Sequence, residues 1–209
     1  MLTSPADHFT ATTRTVSTVT RGDEQLRLVT AGRTCAAPPA EVWAALVTPD
    51  RIERWLAPVS GTLEEGGRFQ VEGNAGGEIL RCAEPDALAL TWVFDGTTSW
   101  VDVSLRPVEG GTLLQVDHSV PRDEHYATYG PGATGIGWEM MLMGLAEHLA
   151  VPDAPRPSPD DLPDLRGYLA DAGAAWGEAA AADGDDADEA RAAARRCVAA
   201  YVGEPDADS

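Results

Sequence analysis

The chain contains no lysine. Its 15 basic residues are all arginine and stand against 34 acidic residues, so the formal net charge is −19. Such a charge repels nucleic-acid phosphates and anionic lipid surfaces, which excludes nucleic acid and membranes as main partners. The missing lysine also excludes a phosphate-binding loop of the G-x-x-x-x-G-K-[ST] type. No apolar run in the sequence reaches the length that crosses a bilayer.

Cysteine is scarce as well. Cys35, Cys82 and Cys197 form no C-x-x-C pair, and their number is odd. Reduced thiols in a cytoplasmic protein are therefore expected. The opening residues, MLTSPADHF, lack the basic and apolar regions of a secretory signal peptide, which favours the same location.

Motifs for metal, cofactor and nucleophilic chemistry are missing too. The histidines show neither H-x-x-x-H nor H-E-x-x-H spacing, so neither a metal nor another cofactor is expected. No G-x-S-x-G nucleophile elbow occurs, and no cysteine lies near a histidine in sequence. The histidines are His8, His118, His125 and His148.

One segment, GPGATG at residues 130–135, does fit the pattern G-x-G-x-x-G. A dinucleotide site would require a buried strand before these glycines and a second strand after the helix that follows. The preceding VPRDEHYATY is polar and contains Pro121, and the later VPDAPRPSPDD is too rich in proline for a strand. The glycines are therefore predicted to allow close backbone packing at the entry of a helix, before Trp138.

Hydrophobic periodicity predicts an antiparallel sheet with one covered face. TRTVSTV and EQLRLVTAGRTC flank a turn, and alternation recurs in ALALTWVF, SWVDVSLRPV and GTLLQVDHSV. PPAEVWAALVTPDRIERWLAP predicts two short helices, the second with Thr48 as N-cap and Pro49 at its first position. A longer helix is predicted over about 136–150. Its apolar stripe consists of Trp138, Leu142, Leu145 and Leu149.

Residues off these stripes are predicted to face outward. Glu139 and Glu147 fall beside the apolar stripe of the long helix, so both are expected in solvent. Trp100 alternates with Val101 and Val103, and it should therefore point away from the covered face. An outward tryptophan indicates a surface that something covers, and the C-terminal helices and a second subunit are both kept open. If a second subunit covers Trp100, the protein is a homodimer.

The order of these segments resembles the SRPBCC superfamily, the fold of START proteins and of the birch-pollen allergen. Within it, the chain is most similar to the branch of activators of the heat-shock-protein-90 ATPase. The resemblance covers about residues 24–150, and Gly137-Trp138 stands at the branch's usual glycine–tryptophan pair. It rests on PPAEVWAALVTPDRIERWL, EEGGRFQV, GGEIL, LALTWVF, GTLLQVDHS and GIGWEMMLMGLAEHLA.

The resemblance implies an α+β helix-grip fold. In this fold a curved antiparallel sheet wraps around a long α-helix, two short helices follow the first strands, and a hydrophobic cavity often separates sheet and helix. Residues 1–150 are expected to form this domain, 151–164 a proline-rich linker and 165–209 an alanine-rich helical extension. The extension's two short helices bury too little to stand alone, so they are expected to pack on the main domain or on a partner.

The inner-face side chains, with tyrosines from the loop before the long helix, are predicted to line the cavity. The predicted ligand-binding residues are Trp92, Phe94, Val101, Val103, Val116, His118, Tyr126, Tyr129, Trp138, Met141, Leu142 and Leu145. No catalytic residue is assigned. His118 is the one candidate, because among the inner-face residues it alone titrates near neutrality. It has no visible carboxylate partner, which favours a structural, hydrogen-bonded role.

These observations favour a non-catalytic module that holds a small hydrophobic or amphipathic molecule. One alternative is a polyketide cyclase or aromatase-like enzyme that uses His118 or a tyrosine as its acid–base group. The other is a co-chaperone-like interaction domain, although the further large domain expected of that activator family is not present in this sequence. The fold alone does not decide among them.

Overall fold

The computed structural model describes residues 4–154 and 164–203. The helices of this part of the chain are α1 (Pro5–Ala11), α2 (Pro39–Val47), α3 (Pro49–Trp55), α4 (Glu124–Tyr129), α5 (Gly132–Ala150), α6 (Arg166–Ala182) and α7 (Ala187–Val202). The strands are β1 (Thr12–Arg21), β2 (Glu24–Cys35), β3 (Val59–Gly61), β4 (Arg68–Val71), β5 (Gly76–Ala83), β6 (Ala87–Phe94), β7 (Thr97–Val108) and β8 (Gly111–Val120).

The described strands form one antiparallel sheet in the order β1-β2-β8-β7-β6-β5-β4-β3. The register of β7 and β8 sets Val101 opposite His118 and Val103 opposite Val116. These side chains are buried, whereas Asp102 between them is exposed. The alternation read from the sequence therefore predicted the covered face of these strands correctly.

Helix α5 packs on this covered face. Ile136, Leu142 and Leu145 on the helix have at most 3% exposure, and they share one core with Val29 of β2 and Leu114 of β8. Burying the apolar side chains of both a sheet face and a long helix is what stabilises this layer arrangement. The predicted α+β helix-grip fold is confirmed.

The break between the two short helices, α2 and α3, lies where the sequence predicts it. Thr48 is the N-cap of α3 and Pro49 its first residue, although the Thr48 side chain makes no capping hydrogen bond. Helix α5 begins at Gly132 rather than at 136, so part of the glycine segment forms its first turn. Helix α4 precedes it, not a strand, and Gly130 ends α4 with a φ of 62°, a conformation that favours glycine. This arrangement differs from that of a dinucleotide-binding turn.

Helices α6 and α7 pack against each other and against α5, and α6 also contacts α1 and β1. A Cβ atom at Gly135 would overlap the indole of Trp176, so this glycine allows α6 to approach α5 closely. Tyr168, Leu169 and Trp176 of α6 belong to the same core as the sheet. Most of the predicted linker, residues 155–163, lies outside the described residues.

Trp100 points away from the core, as predicted, but the C-terminal helices do not cover it. Their apolar side chains pack on the opposite face of the sheet, with α5 and β1, so the first of the two alternatives for a cover over Trp100 is wrong. The Arg21 guanidinium lies over the Trp100 ring instead, 4.8 Å from its centroid. This cation–π contact covers the face of the indole ring, so no helix has to pack on it.

Candidate ligand cavity

A cavity of about 640 Å³ opens beside the N-terminal half of α5. Five parts of the chain line it: the ends of β6, β7 and β8, Asn74 in the loop between β4 and β5, the segment with α4, the first turns of α5, and the last turns of α7. This volume lies in the usual range for sites that hold small organic molecules. Phe94, the last residue of β6, is 56% exposed and lies at the rim together with Asp95, which begins the turn between β6 and β7.

Aromatic rings form the deepest part of the lining. The ring centroids of Trp92 and Trp138 are 5.3 Å apart, and the ring of His118 lies 5.9 Å from that of Trp138. His125 and Tyr129, both in α4, form a second ring pair, 5.1 Å apart. Such surfaces bind flat apolar molecules through their large contact area.

His118 has both ring nitrogens in hydrogen bonds. Trp138 Nε1 donates to His118 Nδ1 over 2.9 Å, because an indole nitrogen can only donate. The proton of the neutral imidazole is therefore on Nε2, which donates to Ser99 Oγ over 2.7 Å. Ser99 Oγ in turn donates to the Trp92 carbonyl oxygen over 3.0 Å. Every donor in this chain of bonds has an acceptor, so one tautomer is selected.

The surroundings also keep His118 uncharged. The side chain is buried, and burial lowers its pKa from 6.5 to about 3. A neutral imidazole whose two nitrogens are both occupied has no free lone pair for a substrate proton. At neutral pH the geometry favours a structural role, as the sequence analysis preferred.

Tyr126 connects the cavity lining to the turn between α6 and α7. Its hydroxyl oxygen accepts a hydrogen bond from Arg27 Nε over 3.0 Å. The Arg27 side chain, 1% exposed, also forms ion pairs with Asp183 at 2.7 Å and Asp185 at 3.0 Å. Burial raises the pKa of Tyr126, so its hydroxyl stays protonated at neutral pH.

Glu139 lies behind the cavity and is buried, although its place beside the apolar stripe of α5 predicts an exposed side chain. Its carboxylate is buried and accepts from Arg14 Nε at 2.7 Å, from the Tyr168 hydroxyl at 2.7 Å and from Trp176 Nε1 at 2.6 Å. Glu147 is only partly exposed, and its Oε1 lies 2.8 Å from His8 Nε2. Both had been predicted to face solvent. The prediction failed because α6 and α1 cover a second side of α5, which one apolar stripe does not show.

The predicted binding residues divide into two groups. Seven line the cavity: Trp92, Phe94, His118, Tyr126, Tyr129, Trp138 and Met141. The other five lie in the packed core and not on the cavity wall: Val101, Val103, Val116, Leu142 and Leu145. The division follows from packing, since Leu142 and Leu145 of α5 share one buried core with the three valines of the sheet.

Several lining residues were not identified from the sequence. Those of α5, and the glycine before it, have small side chains, which leaves room between the helix and the strands. The repeated small residues in this segment of the sequence could have indicated them. Those on α7 carry no local signal, because their position depends on how the C-terminal helices pack. The unpredicted lining includes Ser99, Val120, Asp123, Gly130, Ala133, Thr134, Gly137, Cys197, Ala200 and Tyr201.

No group of three or more potential metal ligands occurs within residues 4–154 and 164–203. None of the helices described there combines the length and the hydropathy needed to cross a bilayer. The cavity lining presents aromatic rings, hydroxyl groups, two imidazoles, the Cys197 thiol and two carboxylates, Asp95 and Asp123.

A curved antiparallel sheet that closes on a long helix, with a cavity at one end, defines the SRPBCC class of proteins. Within that class, residues 36–150 match the family described as Activator of Hsp90 ATPase homolog 1-like protein, and the chain belongs to this family. No curated protein matches the chain.

Solved structures are also similar to this chain. CalU16 from Micromonospora echinospora is 33% identical in its crystal structure, with a TM-score of 0.66 over 81% of this chain and 98% of that one. MLL2253 from Mesorhizobium loti is 27% identical, with a TM-score of 0.56 over 61% and 100% of the two chains. DynU16, a protein of the dynemicin biosynthetic locus, is 25% identical, with a TM-score of 0.55 over 63% and 49%.

Proposed function

We propose that this protein is a non-catalytic binding module that holds a small apolar or amphipathic aromatic molecule in its cavity. The observation that carries the proposal is the cavity of about 640 Å³, whose inner surface is built on the Trp92–Trp138 pair. Stacking against two indoles stabilises a flat ligand without any charged contact. The wall is preformed, because His118 holds the Trp138 ring through a hydrogen bond.

The electrostatics of the lining indicate the charge of the ligand. Asp95 and Asp123 lie on the cavity wall, and no arginine of the described chain lines it. Together with the net charge of −19, this disfavours carboxylates, sulfates and phosphates. The proposed ligand is therefore neutral or cationic.

Two polar groups on the wall are available to orient such a ligand. Within the described chain, neither the Trp92 indole N–H nor the Tyr129 hydroxyl makes a hydrogen bond to protein. Both can donate to a carbonyl, ether or hydroxyl oxygen, and a few such donors in an apolar pocket are what fix a ligand's orientation.

An enzyme of the cyclase type is the second candidate, favoured by the likeness to DynU16, which comes from a biosynthetic locus. Such an enzyme needs a group that exchanges protons near neutral pH. His118 is neutral and doubly hydrogen-bonded, and the Tyr126 hydroxyl is bound by Arg27. Tyr129, half-buried on the cavity wall, is then the remaining tyrosine with a free hydroxyl. The geometry favours binding over turnover.

The test is a fluorescence titration with the neutral probe N-phenyl-1-naphthylamine. We expect saturable binding that quenches tryptophan emission, and binding that weakens about tenfold or more in Trp92→Phe. Trp100→Phe is the matched control, because its ring lies on the other face of the sheet and its loss should leave affinity unchanged. Absence of saturable binding, or equal effects of both variants, would contradict the proposal.

Native mass spectrometry of protein purified from its own host adds the identity of the ligand. If a co-purifying aromatic molecule is recovered unchanged after incubation with the protein, the result supports a binding module. Conversion of that molecule, lost in Tyr129→Phe, would instead support the enzyme.

A further inference from the structure

We propose that helix α7 is the specificity-determining wall of the cavity. It contributes Cys197, Ala200 and Tyr201 to the lining, although it lies outside residues 36–150, which match the family. This inference rests on the proposed binding function and names the element that selects which ligands are admitted.

The three residues lie on one side of α7. Their spacing, i, i+3 and i+4, brings them together on one helix surface. Cys197 is 1% exposed, and its Sγ lies 3.2 Å from the position of a Cβ atom at Gly132, so that glycine allows α7 to lie close to the first turn of α5. The Tyr201 hydroxyl donates to the Ala133 carbonyl oxygen over 3.1 Å, which places its ring across the gap between the two helices.

The chemistry of this wall is apolar, with one hydroxyl group. Burial raises the pKa of Cys197 to about 12, so its thiol is protonated and acts as a small apolar surface. Ala200 presents only a methyl group and is exposed, which leaves open space in front of it. Any part of a ligand that contacts α7 must fit this space and must be uncharged.

The rest of the fold holds the wall in position. Arg27 on β2 binds Asp183 and Asp185, which lie in the turn that leads into α7. Arg196 on α7 donates from Nε to the Thr128 carbonyl oxygen of α4 over 2.8 Å. Helix α7 is thereby connected to the strand side and to the α4 side of the cavity. A wall with these contacts selects by shape, because it does not yield to a bulky ligand.

Two probes of different size test this. With the full-length chain, Ala200→Trp should weaken N-phenyl-1-naphthylamine binding by about tenfold or more, and should change the affinity for the smaller 1-naphthylamine by less than about threefold. Ala174→Trp is the control, since Ala174 is an exposed alanine of the neighbouring helix α6 and does not line the cavity. It should bind both probes as the wild type does.

The outcomes distinguish failure of this inference from failure of the proposed binding function. If Ala200→Trp binds both probes like Ala174→Trp, α7 does not determine specificity, whereas the binding function stands. If the wild type binds neither probe, the binding function fails and this inference fails with it. Should Ala200→Trp not fold, as judged by circular dichroism, Ala200→Leu with Ala174→Leu as its control makes the same comparison.

Discussion

Trp176 Nε1 donates a hydrogen bond to Glu139 Oε1 over 2.6 Å, in a place from which water is excluded. The bond joins α6, in the C-terminal extension, to α5, the central helix of the fold. The Tyr168 hydroxyl and the Arg14 guanidinium bind the same carboxylate. One buried carboxylate thus connects β1, α5 and α6. These hydrogen bonds help to hold helix α6 of the extension against the rest of the domain.

The first prediction concerns this carboxylate. Glu139→Gln keeps the shape of the side chain but leaves the Arg14 guanidinium without its counter-charge. Breaking a buried ion pair on one side costs roughly 3–5 kcal/mol of unfolding free energy. Urea unfolding followed by tryptophan fluorescence measures the loss.

Glu178→Gln is the matched control for this variant. Glu178 is an exposed residue of α6 whose ion pair with Arg191 is on the surface, where solvent screens it, so its loss should change the stability very little. Equal stability of the two variants would show that the Glu139 carboxylate is not paired as described.

The second prediction concerns the extension as a whole. A chain that ends at residue 150 loses Tyr168 and Trp176 from around Glu139 and exposes the face of α5 on which Ile136 lies. We expect it to keep its sheet, to lose several kcal/mol of stability and to associate through the uncovered surface. Circular dichroism, thermal unfolding and size-exclusion chromatography measure these changes.

A chain that ends at Gly203 is the control for truncation, because it retains the described helices α6 and α7. A truncated domain that stays monomeric with an unchanged melting temperature would show that the extension contributes nothing to the fold.

The third prediction concerns pH. The pKa of His118 is about 3 in the folded protein, below its ordinary 6.5, so the native state excludes a proton that the unfolded chain binds. The stabilisation from this group is complete above pH 6.5 and is lost progressively as the pH falls towards 3, by about 1.4 kcal/mol per pH unit. The stability difference between wild type and His118→Gln should shrink over that window. Parallel stability curves from pH 7 to pH 4.5 would refute the assignment.

The fourth prediction concerns the tautomer of His118. Because Trp138 Nε1 donates to Nδ1, nitrogen NMR should find the proton on Nε2. Trp138→Phe removes this donor and leaves a buried acceptor unpaired, which should cost about 1–3 kcal/mol and release the tautomer preference. Trp100→Phe should leave the imidazole signals unchanged. A proton on Nδ1 in the wild type would be the contrary result.

The amino-acid sequence by itself determined the elements and one covered face of the sheet. Alternation along β7 and β8 predicts that Val101, Val103 and Val116 point inward, because successive side chains in a strand must point to opposite faces. Thr48-Pro49 likewise predicts the break between α2 and α3, since proline is favoured at the first position of a helix. These signals are local, and they are visible in a few consecutive residues.

Tertiary structure alone decided what covers the other surfaces. The pattern of α5 predicts one apolar stripe and places Glu139 in solvent, yet α6 packs on that second side and supplies the donors that make a buried carboxylate stable. In the same way, the division between cavity and core depends on where α5 touches the sheet, and Tyr201 reaches the cavity only because α7 folds back onto α5. Contacts between segments far apart in the chain leave no periodic signal in either one, so the packed structure is needed to see them.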